Sequence, residues 1–121
     1  KYNSILKPVT TASNIIELLN VDPDAVVVKV RKVGEYICKS IAREKLQAYN
    51  SRWTFNDTIK KLFYASILNY KAKGYIETIR QFGNIAAHAD DANTDVNHED
   101  AVVICYALVL FIKEVTDANL I

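Results

Sequence analysis

The sequence of 121 residues contains no methionine, three glycines and two prolines. Glycine and proline are too scarce for a low-complexity linker, and 50% of the residues are apolar or aromatic, which is typical of a folded chain. The length suffices for one hydrophobic core, so we predict a single domain over residues 1–121. Because the chain opens on Lys1 and lacks methionine, we expect this domain to belong to a larger protein.

Cysteine and histidine are also scarce. Cys38 and Cys105 lie far apart inside apolar helical patterns, and the two histidines, His88 and His98, are separated by an acidic loop. This spacing offers neither a metal-ligand cluster nor a cysteine nucleophile with a nearby base. We therefore predict buried thiols in a cytoplasmic protein, with no metal and no cofactor.

Long apolar runs are absent as well. The longest is residues 101–112, which is 12 residues, whereas a membrane span needs about 20. We predict no membrane span and no secretory signal. A helix over this run is apolar all round, so it is either central in a bundle or partly in a subunit interface, and we expect a homodimer.

The net charge of +1 conceals an uneven distribution. Residues 29–61 carry nine Lys or Arg against three acids, while residues 90–100 carry five acids and no Lys or Arg. A basic segment is either a solvated helix face or the footprint of RNA or DNA. Aromatic residues interleave with these cations, which favours nucleic acid slightly, and both readings remain open: Tyr36, Tyr49, Trp53 and Tyr64.

Apolar periodicity and capping residues predict an all-α bundle of about five helices. Asp22 before Pro23, Thr54 with Asp57, and Asn97 with Asp100 are start signals. We expect a turn over residues 69–74. The predicted helices span residues 13–19, 23–46, 55–68 and 75–88, with a last one from residue 98 onward.

One helix face stands out for its polar residues. At about 100° per residue, Arg80, Asn84 and His88 fall within roughly 80° of one another, and Glu77 lies about 60° from Arg80. The opposite face is apolar and carries Gly83, which permits close helix packing. The face is either a functional site or structural, with Arg80 paired to a carboxylate, Asn84 bonded to a loop and His88 serving the last turn.

The sequence Arg-x-x-Gly-Asn-x-Ala-Ala-His from Arg80 to His88 follows an earlier Arg-Lys-x-x-Glu pattern, formed by Arg31, Lys32 and Glu35. Together with Asp-Pro-Asp-Ala at residues 22–25, these patterns resemble domain of unknown function family 4145, over roughly residues 5 to 115. That family occurs at the start of restriction-enzyme motor subunits and is grouped with the HEPN superfamily of helical bundles. The resemblance implies a HEPN-like, up-and-down helical bundle in a defence or nucleic-acid-processing protein.

The resemblance also bears on the earlier pattern. Arg31 and Glu35 are neighbours on one helix and could form a local ion pair. The resemblance implies instead a polar or binding layer of Arg31, Lys32, Glu35 and Glu77, in which Arg31 or Glu35 faces the helix that carries Arg80.

Two functions follow as hypotheses. The first is a non-catalytic accessory module that binds nucleic acid or a partner protein and dimerises. The alternative is a metal-independent ribonuclease, as in several HEPN proteins, in which His88 transfers protons, Arg80 neutralises the phosphate and Asn84 orients it. HEPN nucleases space Arg and His by four to six residues, whereas seven separate Arg80 from His88 here, which favours the module. A toxin-like or nucleotidyltransferase-paired HEPN protein is a third possibility.

Overall fold

The computed structural model describes residues 22–87 and 96–121, which form four α-helices and, within those ranges, no strand. The all-α class and the helical bundle are confirmed. The predicted helix over residues 13–19 and the residue His88 lie outside the described ranges. The helices are α1 (Pro23–Lys45), α2 (Phe55–Tyr64), α3 (Tyr70–Ala87) and α4 (His98–Asp117).

The first two helices begin where the sequence predicts. The Asp22 side chain accepts a hydrogen bond from the N–H of Ala25 at 3.2 Å, ahead of the proline that opens α1. Thr54 and Asp57 form a reciprocal cap on α2: the Thr54 N–H donates to the Asp57 carboxylate at 3.1 Å, and the Asp57 N–H donates to the Thr54 hydroxyl at 3.0 Å. Both predicted start signals are therefore confirmed.

The last helix has the same kind of start. The Asn97 N–H donates to the carboxylate of Asp100 at 3.1 Å, and the Asp100 N–H donates to the Asn97 side chain at 2.9 Å. Two orphan N–H groups of the first turn are thereby satisfied. The predicted cap of α4 is confirmed.

The predicted end of α2 was wrong. The helix ends at Tyr64 rather than Leu68, because Ser66 adopts a left-handed backbone conformation with φ of 60°. The N–H groups of Ile67 and Leu68 then both donate to the carbonyl of Leu62, at 3.0 and 3.3 Å. This bifurcated closure stops the helix and turns the chain toward α3.

The predicted start of α3 was also wrong, because α3 begins at Tyr70 and residues 70–74 are helical rather than a turn. The Asn69 side chain accepts from the N–H of Ala72 at 2.8 Å, and the Asn69 carbonyl accepts from the N–H of Lys73 at 2.9 Å. Asn69 thus acts as a helix cap. Gly74 lies inside the helix without breaking it.

Helix α3 is antiparallel to α1 and α4. Gly34 of α1 lies so close to α3 that a Cβ atom there would be 2.8 Å from Cδ1 of Ile76, whereas the earlier α1 residue Arg31 meets the later α3 residue Gly83. Asn69, just before α3, donates to Glu114 near the end of α4 at 3.3 Å. The core between the helices is aliphatic, with Phe111 at its centre, and includes Val30, Ile37, Ile41, Ile59, Leu62, Ile76, Ile79, Ile104 and Leu108.

Two properties of residues 22–87 and 96–121 bear on function. None of their helices is both long and apolar enough to cross a bilayer. Nor do three His, Cys, Asp or Glu side chains in these ranges come together as a metal ion would require.

Candidate functional site

Arg80 and Glu77 form an ion pair on α3, with 2.9 Å between Nη2 of Arg80 and Oε2 of Glu77. Their spacing of three residues places them one turn apart on the same side of the helix. Both side chains are largely covered, at 20% and 22% exposure. Among the described residues, the buried Nε of Arg80 has no hydrogen-bond partner. Arg80 is therefore held against the protein with part of its donor capacity unused.

The pair lies in a cleft of about 290 Å³ between α2 and α3. Of the described residues that line it, three are cations and Glu77 is the one acid. Lys60 comes from α2, while Lys73 and Arg80 come from α3. We call this the α2/α3 cleft and define it by its lining residues: Asn56, Lys60, Phe63, Tyr64, Lys73, Glu77 and Arg80.

Aromatic rings cluster at the end of the cleft where α2 meets α3. Nζ of Lys73 lies 4.7 Å from the centre of the Phe63 ring, close enough for a cation–π interaction. The rings of Phe63 and Tyr70 pack edge to face with centres 5.1 Å apart. Tyr64 and Tyr70 are 76% and 82% exposed. The cleft thus ends in two tyrosine rings that are open to solvent.

Helical spacing explains how the chain builds this cleft. Residues 56, 60, 63 and 64 recur at intervals of three to four, so they share one face of α2, and residues 73, 77 and 80 do the same on α3. The short connection over residues 65–69 folds the two helices side by side. Two faces that are far apart in sequence therefore come together.

Arg31 reaches helix α3, but at Gly83. Its aliphatic stem lies where a side chain at Gly83 would be, since a Cβ atom there would be 2.9 Å from Cγ of Arg31. The Arg31 guanidinium lies 5.4 Å from the centre of the Phe55 ring and bonds Glu35 at 3.4 Å. Glu35 also pairs with Lys39 at 3.0 Å. The local ion pair and the contact with α3 therefore coexist.

The remaining predicted site residues lie elsewhere. Lys32 is exposed and lines a different cavity of about 400 Å³, near the start of α1 together with Asp24 and Lys29. Asn84 is exposed on α3. His88 falls outside the described residues. The structure brings Arg80 together with Glu77, and Arg31 together with Glu35, and shows no contact between the two pairs within the ranges it describes.

The sequence analysis missed several cleft residues: Asn56, Lys60, Phe63, Lys73 and Tyr70. A signal for them existed in the spacing of Lys73, Glu77 and Arg80, which are four and three residues apart. It was lost because the expected turn over residues 69–74 placed Lys73 outside the helix.

Comparison with known proteins supplies a family and no function. No curated protein and no solved structure matches the chain. The model of the family described as "Domain of unknown function (DUF4145)" matches residues 13–118, which is most of the 121 residues. The chain therefore belongs to this family of domains of unknown function.

Proposed function

We propose that this domain is a non-catalytic interaction module that binds single-stranded nucleic acid in the α2/α3 cleft. The observation that carries the proposal is the convergence of Lys60, Lys73 and Arg80 beside two exposed tyrosine rings. Cations neutralise phosphates and release counterions, and exposed aromatic rings stack on unpaired bases of any sequence. The cleft offers both groups at one place.

The aromatic end favours a single strand over a duplex. In a duplex the bases are already stacked on one another, so Tyr64 and Tyr70 would find no free base face. On a single strand, each base–aromatic stack contributes roughly 1–3 kcal/mol. Phosphate contacts from two or three cations add salt-dependent affinity, and non-specific dissociation constants are about 10⁻⁴ to 10⁻⁶ M.

The state of Arg80 favours binding over catalysis. In the ribonuclease alternative, Arg80 would neutralise charge that develops on the phosphate. Here its guanidinium already pairs with Glu77 at 2.9 Å and is only 20% exposed. A cation that is compensated in this way has less charge to give to a transition state. The longer spacing between Arg80 and His88 points in the same direction.

The direct test is fluorescence anisotropy with a labelled single-stranded oligonucleotide, comparing two doubly substituted proteins. Lys60→Ala with Lys73→Ala removes two cations from the cleft. Lys61→Ala with Lys71→Ala removes two cations from the same helices but outside the cleft. The cleft variant is expected to bind about 10- to 100-fold more weakly, and the slope of log affinity against log salt to fall by about 2. The control is expected to stay within about threefold.

Equal losses in the two variants would contradict the proposal, because they would show attraction to overall charge rather than to the cleft. Single-stranded DNA, single-stranded RNA and duplex DNA are compared in parallel. Duplex binding equal to single-strand binding would contradict the stacking role of Tyr64 and Tyr70. No binding at low salt would overturn the nucleic-acid proposal in favour of partner-protein recognition.

The ribonuclease alternative is tested with end-labelled single-stranded RNA in EDTA. The module is expected to leave the RNA intact. Cleavage by the parent that disappears in a folded His88→Ala variant would replace the module with a metal-independent ribonuclease. Circular dichroism of both proteins shows whether the substitution preserves the helices.

The wider setting is part of the same proposal. We place the module in a HEPN-like bundle of five helices, acting as a homodimer in the cytoplasm within a larger defence or nucleic-acid-processing protein. The resemblance to domains at the start of restriction-enzyme motor subunits supports this setting. The apolar character of α4 supports self-association.

A further inference from the structure

Helix α4 presents an apolar face to solvent. Its exposed members are Val102 at 43%, Val103 at 50%, Tyr106 at 65% and Val109 at 60%. The opposite side of the same helix is in the core, where Ile104 and Phe111 are fully buried. We call the four exposed residues the α4 stripe. Contiguous exposed apolar side chains on one helix face are characteristic of an interaction surface.

The residues around the stripe are arranged symmetrically about Tyr106. Val103 and Val109 lie three positions on either side, and Val102 and Leu110 lie four positions away. Seven positions away are an exposed acid, Glu99, and an exposed base, Lys113. At about 100° per residue, these positions fall on the same face of the helix.

This symmetry has a geometric consequence for two copies of the chain. When two identical helices pack antiparallel about a two-fold axis, each residue meets the one at the mirrored position of the other copy. With Tyr106 on the axis, Val103 meets Val109 of the second copy and Glu99 meets Lys113 of the second copy. Apolar residues therefore meet apolar residues, and both outer contacts join opposite charges.

From this pattern we infer that the α4 stripe is a two-fold self-association surface, with Tyr106 at the axis and Glu99–Lys113 pairs at both ends. Lys113 already bonds Asp117 at 3.3 Å, but both side chains are about two-thirds exposed, at 67% and 64%. Such a surface pair is weak, so Lys113 can exchange or share its partner.

The surface is small, which sets the expected affinity. A standard interface uses about 800 Å² and 20 to 30 residues from each partner. Seven positions on one helix correspond to roughly 200–300 Å², so the dimer is in the weak, transient class, with a dissociation constant on the order of 100 µM. Pairing would place two α2/α3 clefts in one particle and raise avidity for a strand long enough to reach both.

This inference takes up the self-association in the proposed function and names its surface. It is tested by sedimentation equilibrium without nucleic acid, at concentrations up to about a millimolar, so the result does not depend on cleft binding. Three proteins are compared with the parent: Glu99→Lys, Lys113→Glu and the double variant. Each single variant opposes like charges at both ends of the dimer, and we expect about fivefold to tenfold weaker association.

Recovery is the decisive measurement. The double variant restores both pairs with reversed sign, and an equimolar mixture of the two single variants restores both pairs in a mixed dimer. Both are expected to return to within about twofold of the parent. The mixture contains the same proteins that are weak alone, so changes in their folding cannot produce recovery.

Three outcomes would overturn the inference: a parent that is monomeric at a millimolar, single variants that associate as well as the parent, or a mixture that shows no recovery. The second would mean that the chain pairs through another face, or that a different partner covers the stripe. If Glu99→Lys fails to fold, Val103→Asp and Val109→Lys replace the pair, since these positions also meet across the axis. Their mixture is then expected to recover in the same way.

Discussion

The side chain of Arg31 occupies the space that a Cβ atom would need at Gly83. A Cβ built there would lie 2.9 Å from Cγ and 3.0 Å from Nε of Arg31, closer than real atoms allow. Helix α3 has glycine at this point, and Arg31 of α1 uses the gap to place its guanidinium over Phe55. The glycine thus serves a side chain from another helix rather than a close backbone approach.

A substitution of Gly83 by alanine is therefore expected to destabilise the protein, even though alanine is the better helix former. Alanine gains about 1 kcal/mol of helix propensity over glycine. Against this, it forces Arg31 out of place and loses its contacts with Phe55 and Glu35, for a net cost of about 1–2 kcal/mol. Urea unfolding monitored by circular dichroism measures the difference.

Gly74 provides the matched control on the same helix. A Cβ atom there would have nothing within 4 Å. Gly74→Ala is expected to stabilise the protein by about 0.5–1 kcal/mol. In an Arg31→Ala background, Gly83→Ala should lose most of its cost because the obstructing side chain is gone. An equal gain from both glycine substitutions in the parent would contradict the packing of Arg31 on Gly83.

The Glu77–Arg80 pair predicts opposite effects on stability and binding. Glu77→Gln leaves the half-buried guanidinium of Arg80 without a charged partner, which is expected to cost about 1 kcal/mol of unfolding free energy. The same change removes the acid from the α2/α3 cleft, so affinity for single-stranded nucleic acid should rise about twofold to fivefold. Glu44→Gln, at an exposed acid outside the cleft, is the control. A loss of affinity in Glu77→Gln would contradict the proposed role of the cleft.

Local chemistry made the helix starts predictable from sequence, whereas the cleft depended on how the helices pack. Thr54 and Asp57 are three residues apart, so their cap follows from composition alone. Gly74 and Asn69 read as turn formers, yet Asn69 caps α3 through its bond to Ala72 and the helix passes through Gly74. Helical periodicity placed Arg80 beside Glu77.

Contacts between helices carried no such local signal. Lys60 and Lys73 meet across a cleft because of the crossing of α2 and α3, and Arg31 meets Gly83 because of the register of α1 against α3. Neither the crossing nor the register follows from the periodicity of one helix. The sequence could name residues on a face, but it could not name their partners on the next helix.

The cap of α2 predicts a pH dependence of stability. The backbone N–H of Thr54, followed by its side chain, lowers the pKa of Asp57 below the usual value. A carboxyl whose pKa is lowered on folding contributes stability that is fully present above its unfolded pKa, near pH 4, and is lost as pH falls through the folded pKa. The parent is therefore expected to exceed Asp57→Asn in stability at pH 6 and to converge with it in strong acid. A constant difference across this range would contradict the assignment, and NMR titration of the Asp57 carboxyl checks its pKa directly.

The two cysteines are expected to differ sharply in reactivity. Cys38 is fully buried on α1, and burial together with the negative charge of Glu35 strongly raises the pKa of its thiol. Cys105 is half-buried on α4, and burial raises the pKa of its thiol. Because the thiolate is the reactive form, both react slowly in the native state, and Cys38 should be at least about 100-fold slower, since it must wait for the protein to open.

Reaction with an aromatic disulfide reagent at pH 8, followed by absorbance, measures the two rates. Cys105→Ser is expected to remove the faster phase and Cys38→Ser the slower one, while in concentrated urea both thiols react at one rate because unfolding removes the difference in burial. Two equally fast thiols in the native protein would mean that α1 opens far more readily than its packing indicates. A slow phase that follows the urea dependence of unfolding would show instead that Cys38 reports on global opening of the bundle.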